Sequence, residues 1–317
     1  MQFFRKNAKN KQLLAICLAS DGLYSASVQW QNQSVPVLTF ISFHPKANQS
    51  WSMLLARLLK ESHARQSRCS LLLLPGEYQI LAVDALGVPA EEVKSAMRWR
   101  LKDLLDYPVE DATFDVLDVP GDPNAGSRNH SLFAVVARNQ HIAERQMLFD
   151  EAKLALSAID VPDMAQRNLS ALLEPAGRGL AMLSFDENGG LLTVTFNGEL
   201  YLSRRLENVR WSQLLQDDSE KRVSAFERIT LELQRSLDHF DRQHHFINTE
   251  KLILAPMGEV GESLRAYLSS NLYLPVEVLD LTTVIDVSQI PAMLDVSLQQ
   301  KYLMTIGAAL RQEEVML

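Results

Sequence analysis

Cysteine is scarce in this chain. Its 317 residues hold two, Cys17 and Cys69, far apart and each inside an apolar β-like run. Two thiols so placed make neither a C-x-x-C redox pair nor a zinc site. The expectation is reduced, buried thiols in a cytosolic protein. Long apolar runs are missing too, since no stretch approaches the ~20 residues that cross a bilayer. Positive charge is in deficit, with 31 Lys and Arg against 39 Asp and Glu and a net charge of -8. The basic face of a nucleic-acid binder is therefore not expected. Metal spacing is missing among His239, His244 and His245: they stand five and one residues apart, whereas a helical zinc pair wants about three or four. They read as a polar helix end. No histidine stands near Ser20 and Asp21 in the sequence, so no nucleophilic triad is supported. Glu91 and Glu92 read as surface residues favourable to a helix dipole, and Asp217-Asp218 and Glu313-Glu314 as solvated charge.

What is present is ordinary globular composition, 47% hydrophobic and 22% charged, with length for two lobes and two cores. At the start, Met1–Gln12 sets Phe3 and Phe4 beside Arg5, Lys6, Lys9 and Lys11. No apolar region with a cleavage site follows, which argues against a signal peptide. Two readings stand for it: contact with an anionic membrane surface, worth about 1 kcal/mol per basic residue, or a solvated, frayed end.

The chain is organised around Leu180–Arg205. Leu180–Phe185 is an apolar run, Asp186–Gly190 a polar turn ending in glycine, and Leu191–Phe196 a second β run. Asn197-Gly198 is a hairpin signal, after which Glu199–Arg205 returns. Such a meander opens phosphate-handling half-domains, and equally it describes a plain antiparallel sheet without a ligand. The first half begins the same way. Leu13–Leu18 and Leu23–Trp30 flank an Asp21-Gly22 turn, Val35–Phe43 is a third strand, Trp51–Leu59 a helix and Cys69–Leu74 a buried strand.

Tyr78–Ala155 reads as a small α/β insert. Its helix starts at Pro89, aligns Val93, Met97, Leu101 and Leu104, and stops at Asp106–Pro108. Strands are expected at Thr113–Val119 and Leu132–Ala137, with an exposed loop over Pro120–Asn129 and a helix over Asn139–Ala155. Ser157–Val161 is a strand and Pro162–Leu173 a helix. After the central meander come a polar segment Glu207–Asp218 compatible with helix, the longest helix Lys221–Arg242, and a strand at Lys251–Leu254. A helix Glu259–Leu268, a strand Val276–Leu279, a loop or weak helix over Val287–Val296 and a final helix Lys301–Arg311 complete the chain. The repeated meander with α/β crossovers is a duplication pattern.

Five stretches carry a family resemblance: Ala15–Trp30, Leu71–Val116, Phe196–Leu206, Phe226–Phe240 followed by Leu252–Ala255, and Tyr302–Arg311. In order and spacing they resemble the PilM-like proteins of type IV pilus assembly, nearest the MshI proteins of MSHA pilus biogenesis. The cytoplasmic region of the type II secretion protein GspL is a more distant likeness. The resemblance implies an α/β, actin-like (ribonuclease H-like) duplicated two-lobe fold with a small α/β insert in the first lobe. Residues 1–77 and 156–178 form the first lobe, 78–155 the insert and 179–317 the second lobe.

Nucleotide chemistry on that fold needs an Asp-x-Gly in the first hairpin of each half, the carboxylate for metal and the glycine for phosphate, and a glycine run against adenosine. Here Cys17 and Ala19 stand at the first Asp and Gly positions, and Ser184 and Asp186 at the second. Only a shifted loop would make Asp186 the surviving carboxylate. The third loop, Ala255–Gly258, replaces two glycines with Pro256 and Met257. What remains are vestigial loops at Ser20, Asp21, Gly22, Asp186, Gly189 and Gly258. A thiol is a poor ligand for a hard cation. No cofactor, metal or ATP hydrolysis is therefore expected, although binding of ATP with magnesium through backbone amides stays open, as does a slow actin-like ATPase or phosphotransferase. The resemblance further implies a scaffold at the cytoplasmic face of a bacterial inner membrane. It would bind the cytoplasmic tail of a PilN-like bitopic protein at the insert and its junction with the first lobe, and communicate with the assembly ATPase. Apolar anchors and backbone pairing would hold such a tail; the sequence identifies no groove residues.

Overall fold

The structure is a computed structural model that describes residues 13–30, 35–61, 67–84, 87–122, 131–216 and 218–312. The expectations for the basic N-terminus, most of the 120–129 loop, Asp217 and Glu313-Glu314 lie outside the described residues. The first lobe opens with β1 (Leu13–Leu18), β2 (Gly22–Gln29), β3 (Val37–Pro45), α1 (Trp51–Glu61) and β4 (Arg68–Leu72). β5 (Tyr78–Asp84), α2 (Val93–Leu104), β6 (Ala112–Val119), β7 (Ser131–Arg138) and α3 (Asn139–Glu151) follow, and the chain returns through β8 (Leu156–Asp160) and α4 (Pro162–Ala171). The second lobe runs β9 (Gly179–Asp186), β10 (Gly189–Phe196), β11 (Glu199–Leu206), α5 (Trp211–Leu214), α6 (Ser219–Gln243), β12 (Thr249–Leu254), α7 (Gly258–Asn271), β13 (Val276–Val278) and α8 (Val296–Ala309).

The duplication is visible in the sheets. The first has strand order β3-β2-β1-β4-β8 and the second β11-β10-β9-β12-β13. In each, an antiparallel three-stranded meander continues into two parallel strands. The central strands β1 and β9 are covered on both faces, which is why they read as unbroken apolar runs. The third sheet, β5-β7-β6, is antiparallel. α2 covers one face of it through Met97 and Leu101, while Phe133 and Val119 on the other face join the core of the second lobe.

Two helices exchange sides. α4 follows the last strand of the first lobe yet packs on β9, β10 and β11, and α8 ends the second lobe yet packs on β1, β2 and β4. Between them a continuous core unites Ala15 and Tyr24 of the first sheet with Met182 and Ile253 of the second. α1 and α3 cover the outer face of the first sheet, and α6 and α7 that of the second.

The termini of three helical segments differ from the sequence reading. α8 begins at Val296, five residues before Lys301, because the Asp295 side chain caps it by accepting from Ser297 N at 2.8 Å. α3 ends at Glu151, where Lys153 adopts φ 58°. The polar 207–218 segment forms only the single turn α5.

α4 and α8 cross where Gly307 meets Ala165. A Cβ on Gly307 would lie 2.3 Å from the Ala165 carbonyl oxygen, and Asn168 Nδ2 donates to Gly307 O at 2.9 Å. Gly307→Ala is expected to destabilise the protein by about 2–3 kcal/mol through overpacking, read as a lower midpoint in urea unfolding. An unchanged midpoint would show that the helices do not approach this closely.

Candidate functional site

The two lobes face each other through equivalent turns. In the first, Ala19 and Gly22 exchange backbone hydrogen bonds of 2.9 and 3.3 Å, leaving Ser20-Asp21 as a two-residue turn. In the second, Asp186 pairs with Gly189 and leaves Glu187-Asn188. Counting back from the turns makes Ala19 equivalent to Asp186 and Cys17 equivalent to Ser184. The turns touch, with Ser20 Oγ donating to Glu187 Oε2 at 3.3 Å.

The glycines of these turns have packing reasons. A Cβ on Gly22 would sit 2.4 Å from His44 O on β3, and one on Gly189, at φ 142°, would sit 2.5 Å from Leu206 O on β11. Each lets the third strand of its meander close against the hairpin. Gly258, at φ 57°, opens α7 with nothing near its Cβ direction.

Between the turns lies a cleft of about 450 Å³. Ser20, Asp21 and Asp186 line it; Gly22, Gly189 and Gly258 are not among its lining residues. Its walls are mainly apolar, with Phe185, Trp211, Pro256, Met257, Leu303 and Met304 among them, and Lys301 is the one cation lining it among the described residues. Several of its polar groups are already engaged. Tyr24 Oη donates to Asp21 Oδ2 at 2.6 Å. Arg205 Nη2 donates to both oxygens of Asp186 at 2.9 Å. Ser184 Oγ donates at 2.6 Å to Gln166 Oε1, and the Gln166 amide donates onward to Met182 O and Thr193 Oγ1. Burial, and secondarily the negative charge of Glu77 and Asp21, pushes the Cys17 thiol up to about 12. Among the described residues no group of three or more His, Cys, Asp or Glu is placed to hold a metal ion. The sequence reading missed Gln166, Trp211 and Lys301; they belong to elements remote from the hairpins, so no local motif marks them.

A second site lies at the junction of insert and first lobe. β8 and β6 each end their sheet, so each has an edge without a strand partner among the described residues. Two adjoining cavities of about 780 and 880 Å³ run along them, sharing Asp115, Val135, Ile159 and Val161. At the second-lobe end the buried Asp160 accepts from Arg311 Nη1 at 3.1 Å. Burial raises its pKa, against the opposing pull of Arg311. At the insert end Lys94 and Asp115 form an exposed ion pair at 3.6 Å. The groove therefore offers unpaired backbone on two walls and apolar side chains between them. An extended peptide meets such a surface with a strand edge and alternate side chains.

No family model matches the chain, and no curated protein is matched by sequence. Solved structures do match. One is the PilM-PilN type IV pilus biogenesis complex, at TM-score 0.72 and 17% identity, covering 94% of this chain and 98% of that one. A second is a Bacteroides thetaiotaomicron protein of unknown function with an actin-like ATPase fold, at TM-score 0.51 and 10% identity, covering 93% and 100%. A third is the cytoplasmic domain of EpsL, an inner-membrane component of the Vibrio cholerae type II secretion system, at TM-score 0.42 and 14% identity, covering 62% and 71%. The fold is the actin-like two-lobe fold expected from the sequence.

Burial pushes Cys69 as well as Cys17 from 9.0 to about 12. A folded pKa above the unfolded one stabilises the protein at low pH. That contribution is complete below about pH 9 and is lost between about 9 and 12, at roughly 1.4 kcal/mol per pH unit for each thiol. Denaturation midpoints are expected to fall across this window and to fall less in Cys17→Ala. A thiol reagent at pH 8 should modify neither cysteine in the folded protein and both in denaturant.

Proposed function

We propose that this protein is a cytoplasmic scaffold of a type IV pilus inner-membrane assembly platform, of the MSHA type. In this reading the β6–β8 groove binds the cytoplasmic tail of a single-pass PilN-like protein, and the assembly ATPase is a further partner. The observation that carries the reading is the groove itself, where two edge strands flank Val135 and Ile159 among mixed polar and apolar side chains. The likeness in fold to PilM of the PilM-PilN complex supports it. No helix among the described residues is long and apolar enough to cross a membrane.

The inter-lobe cleft is, in this reading, a nucleotide site that has lost its chemistry. A magnesium triphosphate needs hard oxygen ligands and positive charge around the phosphates. Cys17 presents a neutral buried thiol, and Ser184 spends its hydroxyl on Gln166. Asp186 is neutralised by Arg205, and Lys301 is the cleft's one lining cation among the described residues. This set does not fit the magnesium nucleotide. The alternative, an actin-like protein that binds nucleotide or turns it over slowly, rests on Asp21 and Glu187, the carboxylates at the rim.

Two measurements decide. Titration of a synthetic PilN-like tail should give saturable binding that Ile159→Arg weakens at least tenfold while leaving the melting temperature within a few degrees. Retained affinity in that variant removes the groove. Incubation with ATP and magnesium should yield no phosphate above background and no thermal shift. Turnover that Asp21→Ala, Glu187→Ala or Asp186→Ala abolishes would falsify the degenerate-site reading.

A further inference from the structure

α2 has a surface that neither the cleft nor the groove uses. Met97 and Leu101 point inward and are fully buried, whereas Trp99, on the opposite side, is 75% exposed. Arg98, Arg100 and Lys102 flank it and are exposed as well, and Lys102 Nζ stands 5.9 Å from the centre of the Trp99 ring. A fully presented indole has no packing role inside the chain. An amphipathic ring among cations suits the bilayer interface, where indole sits at headgroup level and Lys and Arg meet anionic lipid. Among acidic residues, Glu91 and Glu92 precede the helix, and Asp103 stands one turn on from Trp99 at the edge of this face, against three cations. The chain as a whole carries -8, so a membrane contact has to be made by a local face.

We propose that the Arg98–Lys102 face of α2 docks on an anionic lipid bilayer with Trp99 inserted at headgroup level. The proposal stands on this face alone and does not rest on the pilus-scaffold reading. It does orient the molecule. Lys94, in the first turn of the same helix, lines the β6–β8 groove beside Asp115, so docking of α2 holds one end of that groove at the membrane surface.

The test is flotation of the full chain with vesicles of phosphatidylglycerol and phosphatidylethanolamine, against vesicles of phosphatidylcholine alone. Binding is expected on the anionic vesicles only and should weaken as salt rises. It should fall at least about tenfold in Trp99→Ala and in the triple variant Arg98→Glu, Arg100→Glu, Lys102→Glu. Circular dichroism melts should match the parent for Trp99→Ala and stay within a few degrees of it for the triple variant, whose one lost packing contact is Arg98 over the Phe114 ring at 5.5 Å. A variant with Arg5, Lys6, Lys9 and Lys11 changed to Glu separates the basic N-terminus from α2. If it retains α2-dependent binding, the proposal stands. If it alone loses binding while both α2 variants keep theirs, the proposal is overturned. Absence of flotation on anionic vesicles overturns it too, and so does a dimer that Trp99→Ala dissolves without any flotation, which would make this face a protein contact.

Discussion

The close crossing of α4 and α8 is the constraint on which the rest of the structure depends. Each helix belongs to one half of the duplication and packs on the sheet of the other. The crossing works because Gly307 lets the Ala165 carbonyl approach, and because Asn168 spans the contact to Gly307 O. Polar anchors on α4 extend this junction. Asp163 accepts hydrogen bonds from Tyr78 at the start of the insert and from Ser203 on β11, so one buried carboxylate ties three parts of the chain together. Gln166 fastens the same helix to β9 and β10. Asp163 and Gln166 are tolerable in the interior because their polar atoms find partners, and the directionality of those bonds orients α4 against the second sheet. The turn-to-turn contact of Ser20 with Glu187 and the walls of both the cleft and the groove follow from that orientation.

The duplication kept architecture and side-chain volume at the hairpins while changing their polar character. Cys17 and Ser184 occupy equivalent positions, both small and both buried. A neutral thiol or hydroxyl is inexpensive to bury; an ionised carboxylate there would require a cation or several donors to offset desolvation. Gln166 supplies one acceptor at Ser184, which suits a hydroxyl and opposes a carboxylate. The apolar side chains of Trp211, Pro256 and Met257 then line space that a polar ligand would have to share.

Much of the fold was legible because the relevant signals are local. Alternation and buried runs marked the meanders, Asp21-Gly22 and Asn197-Gly198 marked their turns, and Asp218 caps the longest helix by accepting from Glu220 N and Lys221 N. The placement of Cys17 and Ser184 came from aligning the first hairpin without gaps and the second back from Asn197-Gly198, while the turn expected over Asp186–Gly190 is shorter, since Asp186 pairs with Gly189 and leaves only Glu187-Asn188. What was illegible is non-local. The start of α8 depended on a cap at Asp295 inside a stretch with little helical periodicity. The glycines at 22 and 189 looked like phosphate loops because sequence does not show the third strand that crowds them. The groove was invisible for the same reason: β6 and β8 read as ordinary strands, and only sheet order reveals that their outer edges are unpaired.

Unpaired edges are a liability, so which ones a fold leaves open is informative. The opposite edge of the first sheet is closed: Leu38 N donates to Asp286 O at 2.9 Å and Asp286 N to Pro36 O at 2.9 Å, so a segment of the second lobe shields β3. β13, at the far edge of the second sheet, is three residues long and offers little template. Among the described residues β8 has neither protection. Its edge instead opens onto a cavity whose other wall is a second edge strand, β6, with Val135 and Ile159 between them. Selection against aggregation would be expected to blunt such an edge with a bulge, a proline or an inward charge. The Asp160–Arg311 pair guards only its end. β11, the remaining lobe-sheet extremity, is eight residues long, so what sets the β8 edge apart is the groove it opens into, a setting that suits the extended peptide proposed for it.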